Sequence, residues 1–203
     1  LTREMRDAAY AASVGLAREK GAFPLFEAEK LLASGMARRL PDALRAEIGA
    51  HGLRNSHLLS IAPTGTISLA FADNASSGIE PAYAWTTCRR KRDADGTIGS
   101  HPVEDHAWRL YRHLKGADAP LGPAFVTALE MTAEAQVEMV AAVAPCIDAA
   151  VSKTVNVPAD CPFEGFRDLY LLAWRSGLKG LCSFRPNPVL GAVLGSPVQR
   201  PPT

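Results

Sequence analysis

Helical and β-prone segments alternate along the second half of the chain, and this alternation constrains the fold more than any other feature. A helix with apolar residues at i, i+3, i+4, i+7 and i+10 is predicted after Thr132, and a β-prone run follows at residues 154–157. A second helix is predicted over residues 163–176, with Gly177 beyond its end, before an apolar run at residues 181–184. Such alternation is typical of α/β packing, so we predict a helix-rich α/β fold with few strands.

The first quarter of the chain is predicted to be helical. Residues 2–20 should form an amphipathic helix that Gly21 ends, and shorter helices should occupy residues 24–35 and 41–52. The apolar residues at helical spacing in the first helix are Met5, Ala8, Ala9, Ala12 and Leu16.

These patterns divide the chain into three regions. Residues 1–52 form a helical lead-in, residues 53–187 form the main part, and residues 188–203 form a tail rich in Pro, Gly and small residues that we expect to be mobile. Within the main part, an exposed hairpin near residues 83–100 should turn at the Asp95-Gly96 pair. Residues 103–115 should be helical, and Pro145 should kink the helix that follows Thr132.

Composition excludes several function classes. With 203 residues and 47% hydrophobic content, the chain can bury a sizeable core without metals or disulfides. A net charge of +1 gives no broad field for nucleic acid or an anionic membrane, so we expect neither as a partner. No membrane span or signal sequence is apparent. Because the first residue is Leu1, we expect the numbered chain to begin inside a longer one or after a processed tag.

The four cysteines are scattered, without a Cys-x-x-Cys pair. This spacing argues against a zinc site or a redox dithiol and favours a reduced, cytoplasmic protein with buried thiols. Three histidines, His101, His106 and His113, do not converge on one helix face, so no metal site is predicted. The basic run at residues 89–92 is interpreted as a solvated hairpin, because no aromatic stacking set accompanies it.

The most informative segment is the run at residues 63–68 (PTGTIS), which follows a short apolar run at residues 58–62 that we interpret as a buried strand. Gly65 lets a ligand approach the backbone, and successive N–H groups with the hydroxyls of Thr64 and Thr66 can donate to phosphate oxygens. An ordinary turn has the same sequence features, and the hexapeptide alone leaves both interpretations open.

The surroundings of this segment resemble the large catalytic chain of ribonucleotide reductases, most closely the adenosylcobalamin-dependent class. The similar segments, in order, are residues 19–26 (EKGAFPLF), 54–68 (RNSHLLSIAPTGTIS), 76–81 (SSGIEP), 152–158 (SKTVNVP), 169–174 (LYLLAW) and 177–180 (GLKG). The resemblance covers roughly residues 5–187. Several landmarks in a fixed order are far more specific than one motif.

This resemblance implies part of a ten-stranded α/β barrel in which a loop holds the phosphates of a ribonucleotide. The implied phosphate-binding residues are Thr64, Gly65, Thr66, Ile67 and Ser68, and the implied site-shaping residues are Pro63, Ser77, Gly78 and Glu80. Members of the family that receive a radical from a separate subunit carry a tyrosine pair where this chain has Cys182-Ser183. The implied cofactor is therefore adenosylcobalamin, and the implied partners are the rest of the reductase chain and a second copy of it.

The departures from the family pattern limit what this chain should do alone. No cysteine stands in the family's Asn-x-Cys-x-Glu context, and neither the reducing cysteine pair nor the allosteric elements are found, so no catalytic residue is assigned. Two functions remain: part of a thiyl-radical reductase that is incomplete alone, or a non-catalytic phosphate-binding protein. For Lys153 we favour a structural or electrostatic role, because Ser152 and Lys153 should face opposite sides of a strand. Tyr170 and Trp174 are predicted to lie in the core.

Overall fold

A computed structural model describes residues 1–64, 67, 78–92, 94–128, 130–185 and 194–195 of the chain. The helices are α1 (Thr2–Lys20), α2 (Ala28–Leu32), α3 (Asp42–His51), α4 (His106–Lys115), α5 (Ala133–Val143) and α6 (Phe163–Arg175), with single turns at Ala37–Arg39 and Ala144–Cys146. The strands are β1 (Thr86–Arg92), β2 (Ile98–Glu104), β3 (Thr154–Asn156), β4 (Cys182–Phe184) and β5 (Leu194–Gly195).

The chain folds into two compact units, each built from separate stretches of sequence. The first comprises residues 1–61, 138–152 and 173–180, and the second comprises residues 62–137, 153–172 and 181–203. In the first unit a continuous apolar cluster forms between α1, α3 and the segments that flank them. Its buried members are Tyr10, Val14, Ala37, Leu40, Ile48 and Leu53.

Helix α1 has the predicted bounds, but the predicted buried face is wrong. The face that packs inward carries Arg6, Tyr10, Ser13, Val14 and Ala17, whereas Met5 is 46% and Leu16 is 39% exposed. Polar residues can occupy this face because they have partners: Ser13 Oγ donates to Asn55 Oδ1 (3.2 Å). Counting apolar residues alone therefore selected the wrong side of the helix.

The shorter N-terminal helices agree with prediction only in part. Helix α3 ends at Gly52 as expected, with a backbone φ of +77°. Helix α2 spans only Ala28–Leu32, because Phe23 and Phe26 pack edge to face with ring centroids 5.4 Å apart and hold the preceding residues in a turn. Phe26 also lies beside Gly52, where an added Cβ would lie 3.3 Å from the Phe26 ring and 2.6 Å from the Ala22 Cβ.

Helices α4 and α5 each begin after a residue whose side chain caps the helix, and a glycine or a proline follows the end of each helix. Asp105 accepts from Trp108 N (3.1 Å), so α4 begins at His106 and not at residue 103 as predicted. Thr132 Oγ1 accepts from Ala135 N (3.1 Å), which confirms the predicted cap of α5. The predicted kink is wrong, because Pro145 lies in the single turn that follows the helix.

The second unit contains a parallel strand pair joined through a helix. Strand β3 pairs in parallel with β4, with Thr154 opposite Cys182 and Asn156 opposite Phe184, and α6 lies between them in sequence. Side chains along β3 alternate, so that Lys153, Val155 and Val157 are buried while Ser152 is exposed. Ser152 and Lys153 therefore face opposite sides, as predicted.

The predicted hairpin is present, but its first strand begins at Thr86 and not at Tyr83. Strands β1 and β2 are antiparallel, with Arg92 opposite Ile98, and Gly96 in the connection has a φ of +87°. Strand β5 pairs with the other edge of β1. The remainder of the predicted tail, residues 188–193 and 196–203, lies outside the described residues.

The architecture is helix-rich with few strands, as predicted. Within the described ranges the strands form a three-stranded and a two-stranded sheet and do not close into a barrel. None of the described helices combines the length and the apolar character that crossing a bilayer requires.

Candidate functional site

The predicted phosphate-binding segment and its predicted site-shaping neighbours are described only in part. Pro63, Thr64, Ile67, Gly78 and Glu80 are described, whereas Gly65, Thr66, Ser68 and Ser77 lie outside the described residues. The geometry of the site therefore rests on the segment that leads into the loop and on the turn that follows it. All nine positions belong to the second unit.

The segment before the loop is held by parallel backbone pairing. Ile61 forms a parallel bridge with Val151; Ile61 N donates to Ala150 O (2.9 Å) and Ile61 O accepts from Ser152 N (2.8 Å). The predicted strand at residues 58–62 is thus a short paired segment, and it is half-buried rather than buried as expected.

Asp148 anchors the beginning of this segment in the first unit. Its carboxylate accepts from Leu58 N and Leu59 N, both at 2.8 Å, and from the Tyr10 hydroxyl at 3.1 Å. Burial and the neighbouring Asp148 carboxylate raise the pKa of Tyr10 well above its ordinary value. Sequence reasoning missed both residues, since an isolated Asp after an apolar helix carries no pattern that names its partners.

Thr64 has a left-handed backbone conformation, with a φ of +50°. For a β-branched residue this conformation costs about 1–2 kcal/mol relative to an ordinary one. Backbone strain of this kind clusters at ligand-binding loops, where the surrounding structure holds the chain in a particular path. Thr64 is half-buried, and Ile67 is 56% exposed.

The turn after the loop is tied to β3 by the carboxylate of Glu80. Gly78 has a φ of +67°, and Glu80 is two residues further along. Glu80 Oε1 accepts from Thr154 N (2.6 Å), and Oε2 accepts from Lys153 Nζ (2.6 Å). The predicted site-shaping residue Glu80 thus contacts the SKTVNVP segment directly, across more than 70 residues of sequence.

Lys153 and Gln136 complete this cluster, which we call the polar clamp (Glu80, Gln136, Lys153 and Thr154). Lys153 is 3% exposed and also donates to Gln136 Oε1 (3.0 Å) and to Thr154 O. This buried ion pair is consistent with the structural or electrostatic role predicted for Lys153. Gln136, which sequence reasoning missed, also accepts from Asn156 N (3.3 Å).

The histidines and cysteines considered as metal ligands or buried thiols do not belong to the polar clamp. His106 and His113 are exposed, and within the described part of the chain no three His, Cys, Asp or Glu side chains are grouped to hold a metal ion. Cys146 is buried as expected, but Cys182 is exposed and Cys161 is half-buried.

The predicted core positions of Tyr170 and Trp174 are wrong. They are 38% and 74% exposed, because α6 buries Leu169 and Ala173, one position earlier in the helical repeat. The Tyr170 hydroxyl lies 3.0 Å from Ser183 Oγ.

Parallel segments joined through helices, with a strained loop leaving the end of one of them, define an α/β protein with a candidate ligand loop at a strand end. The family "Ribonucleotide reductase, barrel domain" matches residues 1–184. The chain belongs to this family. The predicted resemblance is therefore confirmed.

Curated relatives carry the same family name. The chain is 33% identical to the vitamin B12-dependent ribonucleoside-diphosphate reductase of Mycobacterium tuberculosis (strain CDC 1551 / Oshkosh), over 99% of this chain and 29% of that protein. It is 30% identical to the vitamin B12-dependent ribonucleotide reductase of Streptomyces coelicolor, over 72% of this chain and 17% of that protein. The chain thus spans less than a third of the length of these relatives.

Proposed function

We propose that the chain supplies the substrate phosphate-binding loop of an adenosylcobalamin-dependent ribonucleotide reductase. The observation that carries the proposal is the left-handed Thr64, which directly follows Pro63 at the end of a backbone-paired segment. A loop that leaves a strand end with a strained backbone is suited to present amide N–H groups to an anion. The family match and the names of the relatives supply the reaction class.

In this proposal, Thr64, Gly65, Thr66, Ile67 and Ser68 surround the phosphates of a ribonucleoside diphosphate. Amide N–H groups and hydroxyls donate to the phosphate oxygens, and the missing side chain of Gly65 lets the ligand approach the backbone. Charge-assisted hydrogen bonds of this kind contribute about 1.5–3 kcal/mol each. The site-shaping residues are Pro63, Ser77, Gly78 and Glu80.

The remaining parts of the reaction belong to the complete reductase. We propose that residues 53–187 form part of its ten-stranded barrel and that the thiyl-forming cysteine lies in another part of the polypeptide. The complete protein would act as a homo-oligomer in the cytoplasm. It would convert ribonucleotides to deoxyribonucleotides, and this chain alone would not.

Adenosylcobalamin, when bound, supplies the radical chemistry. The polar groups of the clamp are already bonded to one another and are not available to a corrin ring. No corrin contact is therefore assigned to them.

Turnover by the full-length protein tests the reaction class. With CDP, adenosylcobalamin and a dithiol reductant, we expect dCDP, detected by liquid chromatography and mass spectrometry. A non-catalytic phosphate-binding protein would bind CDP without forming dCDP. Absence of both binding and product would contradict the proposal and the alternative together.

A proline substitution tests the loop. Thr66→Pro removes one amide donor and should raise the Kd for CDP about tenfold, measured by calorimetry. The matched control is Thr127→Pro, which removes an amide that donates to the exposed carboxylate of Glu130. The control should leave the Kd unchanged. Equal Kd values for Thr66→Pro and wild type would reject the loop assignment.

A further inference from the structure

The first unit contains an open cleft of about 760 Å³, and all of the residues that line it belong to this unit. The lining comes from the first two turns of α1, from the segment between Ala37–Arg39 and α3, and from the end of α5 with the turn that follows it. Its charged side chains are those of Arg3, Arg6, Arg39 and Asp7. They give the cleft a local charge of +2, whereas the whole chain carries only +1.

Arg6 is the charged residue that is built into the wall of the cleft. It is 5% exposed, and its Nε and Nη2 atoms both lie 2.7 Å from Asp7 Oδ1. A guanidinium group has five N–H donors, and Nη1 of Arg6 has no partner among the described residues. Buried donors are normally paired, so an oxyanion that enters the cleft can supply the acceptor that Arg6 lacks.

Arg3 and Arg39 add two guanidinium groups that remain available. Both are exposed, and neither has a hydrogen-bond or ion-pair partner among the described residues. The planar fork of a guanidinium group matches the oxygens of a phosphate. Helix α3 begins directly after Pro41, which also lines the cleft, and no side chain caps its first turn. The positive end of this helix adds to the attraction for an anion.

The charge, the volume and the apolar lining decide the class of ligand. A phosphate monoester carries a charge of about −1.5 to −2 at pH 7, which matches the +2 of the cleft. Clefts of about 300–1,000 Å³ hold whole organic ligands, so a bare phosphate ion would leave most of this one empty. The side chains of Leu40, Ala142 and Cys146 also line it and offer apolar contact. A carboxylate has a single charge, so a peptide would need two acidic side chains that converge here.

We propose that this cleft binds a phosphate monoester of nucleotide size. Arg3, Arg6 and Arg39 bind the phosphate group, and the apolar lining contacts the remainder of the molecule. The site shares no residue with the loop at residues 64–68, and the inference does not rest on the proposed function. Loss of one site should therefore leave binding at the other intact.

Modification of arginines by phenylglyoxal tests the site directly, in the full-length protein with AMP as the probe. Mass spectrometry follows the rate at each arginine. At ten times the Kd only about one tenth of the protein is free, so the rates at Arg3 and Arg39 should fall about tenfold. Arg38 is an internal control, because it is exposed and adjacent but does not line the cleft. Its rate should not change, and adenosine should protect none of the three.

A substitution in the cleft tests the contribution of one guanidinium group. Arg39→Gln removes a charge at an exposed position, so folding should be preserved. The Kd for AMP, taken from the protection of Arg3, should rise about tenfold, because one charge-assisted contact is lost. Arg38→Gln is the matched control and should keep the wild-type Kd. Thr66→Pro should also keep it, since that residue belongs to the other proposed site.

Three results would overturn the inference. The first is an unchanged rate at Arg3 and Arg39 at every AMP concentration. The second is equal protection by adenosine, which would show that the phosphate is not recognised. The third is that Arg3 and Arg39 resist modification without ligand while Arg38 reacts, which would show that an acidic segment of the full-length protein occupies the cleft. Failure of the protein to bind CDP would overturn the proposed function and leave this inference standing.

Discussion

Replacing Asp148 by alanine should detach the segment that leads into the proposed phosphate-binding loop at residues 64–68. The Asp148 carboxylate accepts from Leu58 N and Leu59 N at 2.8 Å and from the Tyr10 hydroxyl at 3.1 Å. Hydrogen bonds to a charged group contribute about 1.5–3 kcal/mol each, and water can replace part of this at a half-buried site. At about 1.5 kcal/mol for each of the two backbone amides, the loss is about 3 kcal/mol in total. The hydrogens of these amides should then exchange about 100-fold faster in Asp148→Ala than in wild type.

Hydrogen exchange followed by mass spectrometry measures this effect locally, on the peptide that covers residues 56–62 of the full-length protein. Tyr10→Phe should accelerate exchange of these two amides less, because both of their own bonds to the Asp148 carboxylate remain. Asp118→Ala, at an exposed carboxylate, is the control and should have no effect. Exchange in folded Asp148→Ala within about threefold of wild type would refute the reasoning, because the three bonds would then contribute under 1 kcal/mol together.

Further expectations concern stability, each measured by urea denaturation unless another assay is named. Gly52→Ala should cost about 3 kcal/mol and Gly21→Ala about 1 kcal/mol, because both have a positive φ but only Gly52 meets a neighbour, at 2.6 Å; equal costs would contradict the packing argument. The raised pKa of Tyr10 means that its neutral form is favoured in the folded state, so its contribution should be complete below pH 10.0 and decline above it. Stability should therefore fall more steeply above pH 10.0 in wild type than in Tyr10→Phe, and equal slopes would contradict the shift. Light scattering should show self-association that grows with concentration, because Trp174 is 74% exposed among other large apolar side chains, and a monomer at every concentration would contradict this.

Local sequence rules predicted the elements whose limits are set by neighbours in the chain. Helices α1, α3 and α6 end before glycines with positive φ, and the Asp95-Gly96 pair lies in the hairpin connection. In each case a conformation available mainly to glycine, or a cap within four residues, decides where the element ends. Such information is complete within a short window of sequence.

Contacts between distant residues could not be predicted in the same way. The predicted inward face of α1 is wrong because Tyr10 and Ser13 point inward and bond to polar partners far away in sequence. These partners are Asp148, 138 residues from Tyr10, and Asn55, 42 residues from Ser13. Helix α2 was predicted too long because the Phe23–Phe26 packing holds a turn that proline alone does not indicate. Hydrophobic periodicity treats every polar residue as a surface residue, and here that assumption failed.

The candidate site shows the same limit. The resemblance identified Glu80 and the SKTVNVP segment separately, but only the folded chain shows Glu80 bonded to Lys153 and Thr154. Gln136 carries no sequence signal, since one Gln near the start of an apolar helix is ordinary. Its role follows only from burial and from its two donors.

Hydrogen exchange of residues 62–69 in the full-length protein, with and without ligands, tests the central claim most directly. If the amides of residues 64–68 hold the phosphates, CDP and inorganic pyrophosphate should both slow exchange of this peptide, and cytidine should not. Equal protection by cytidine, or no protection at saturating CDP, would contradict the assignment of this loop.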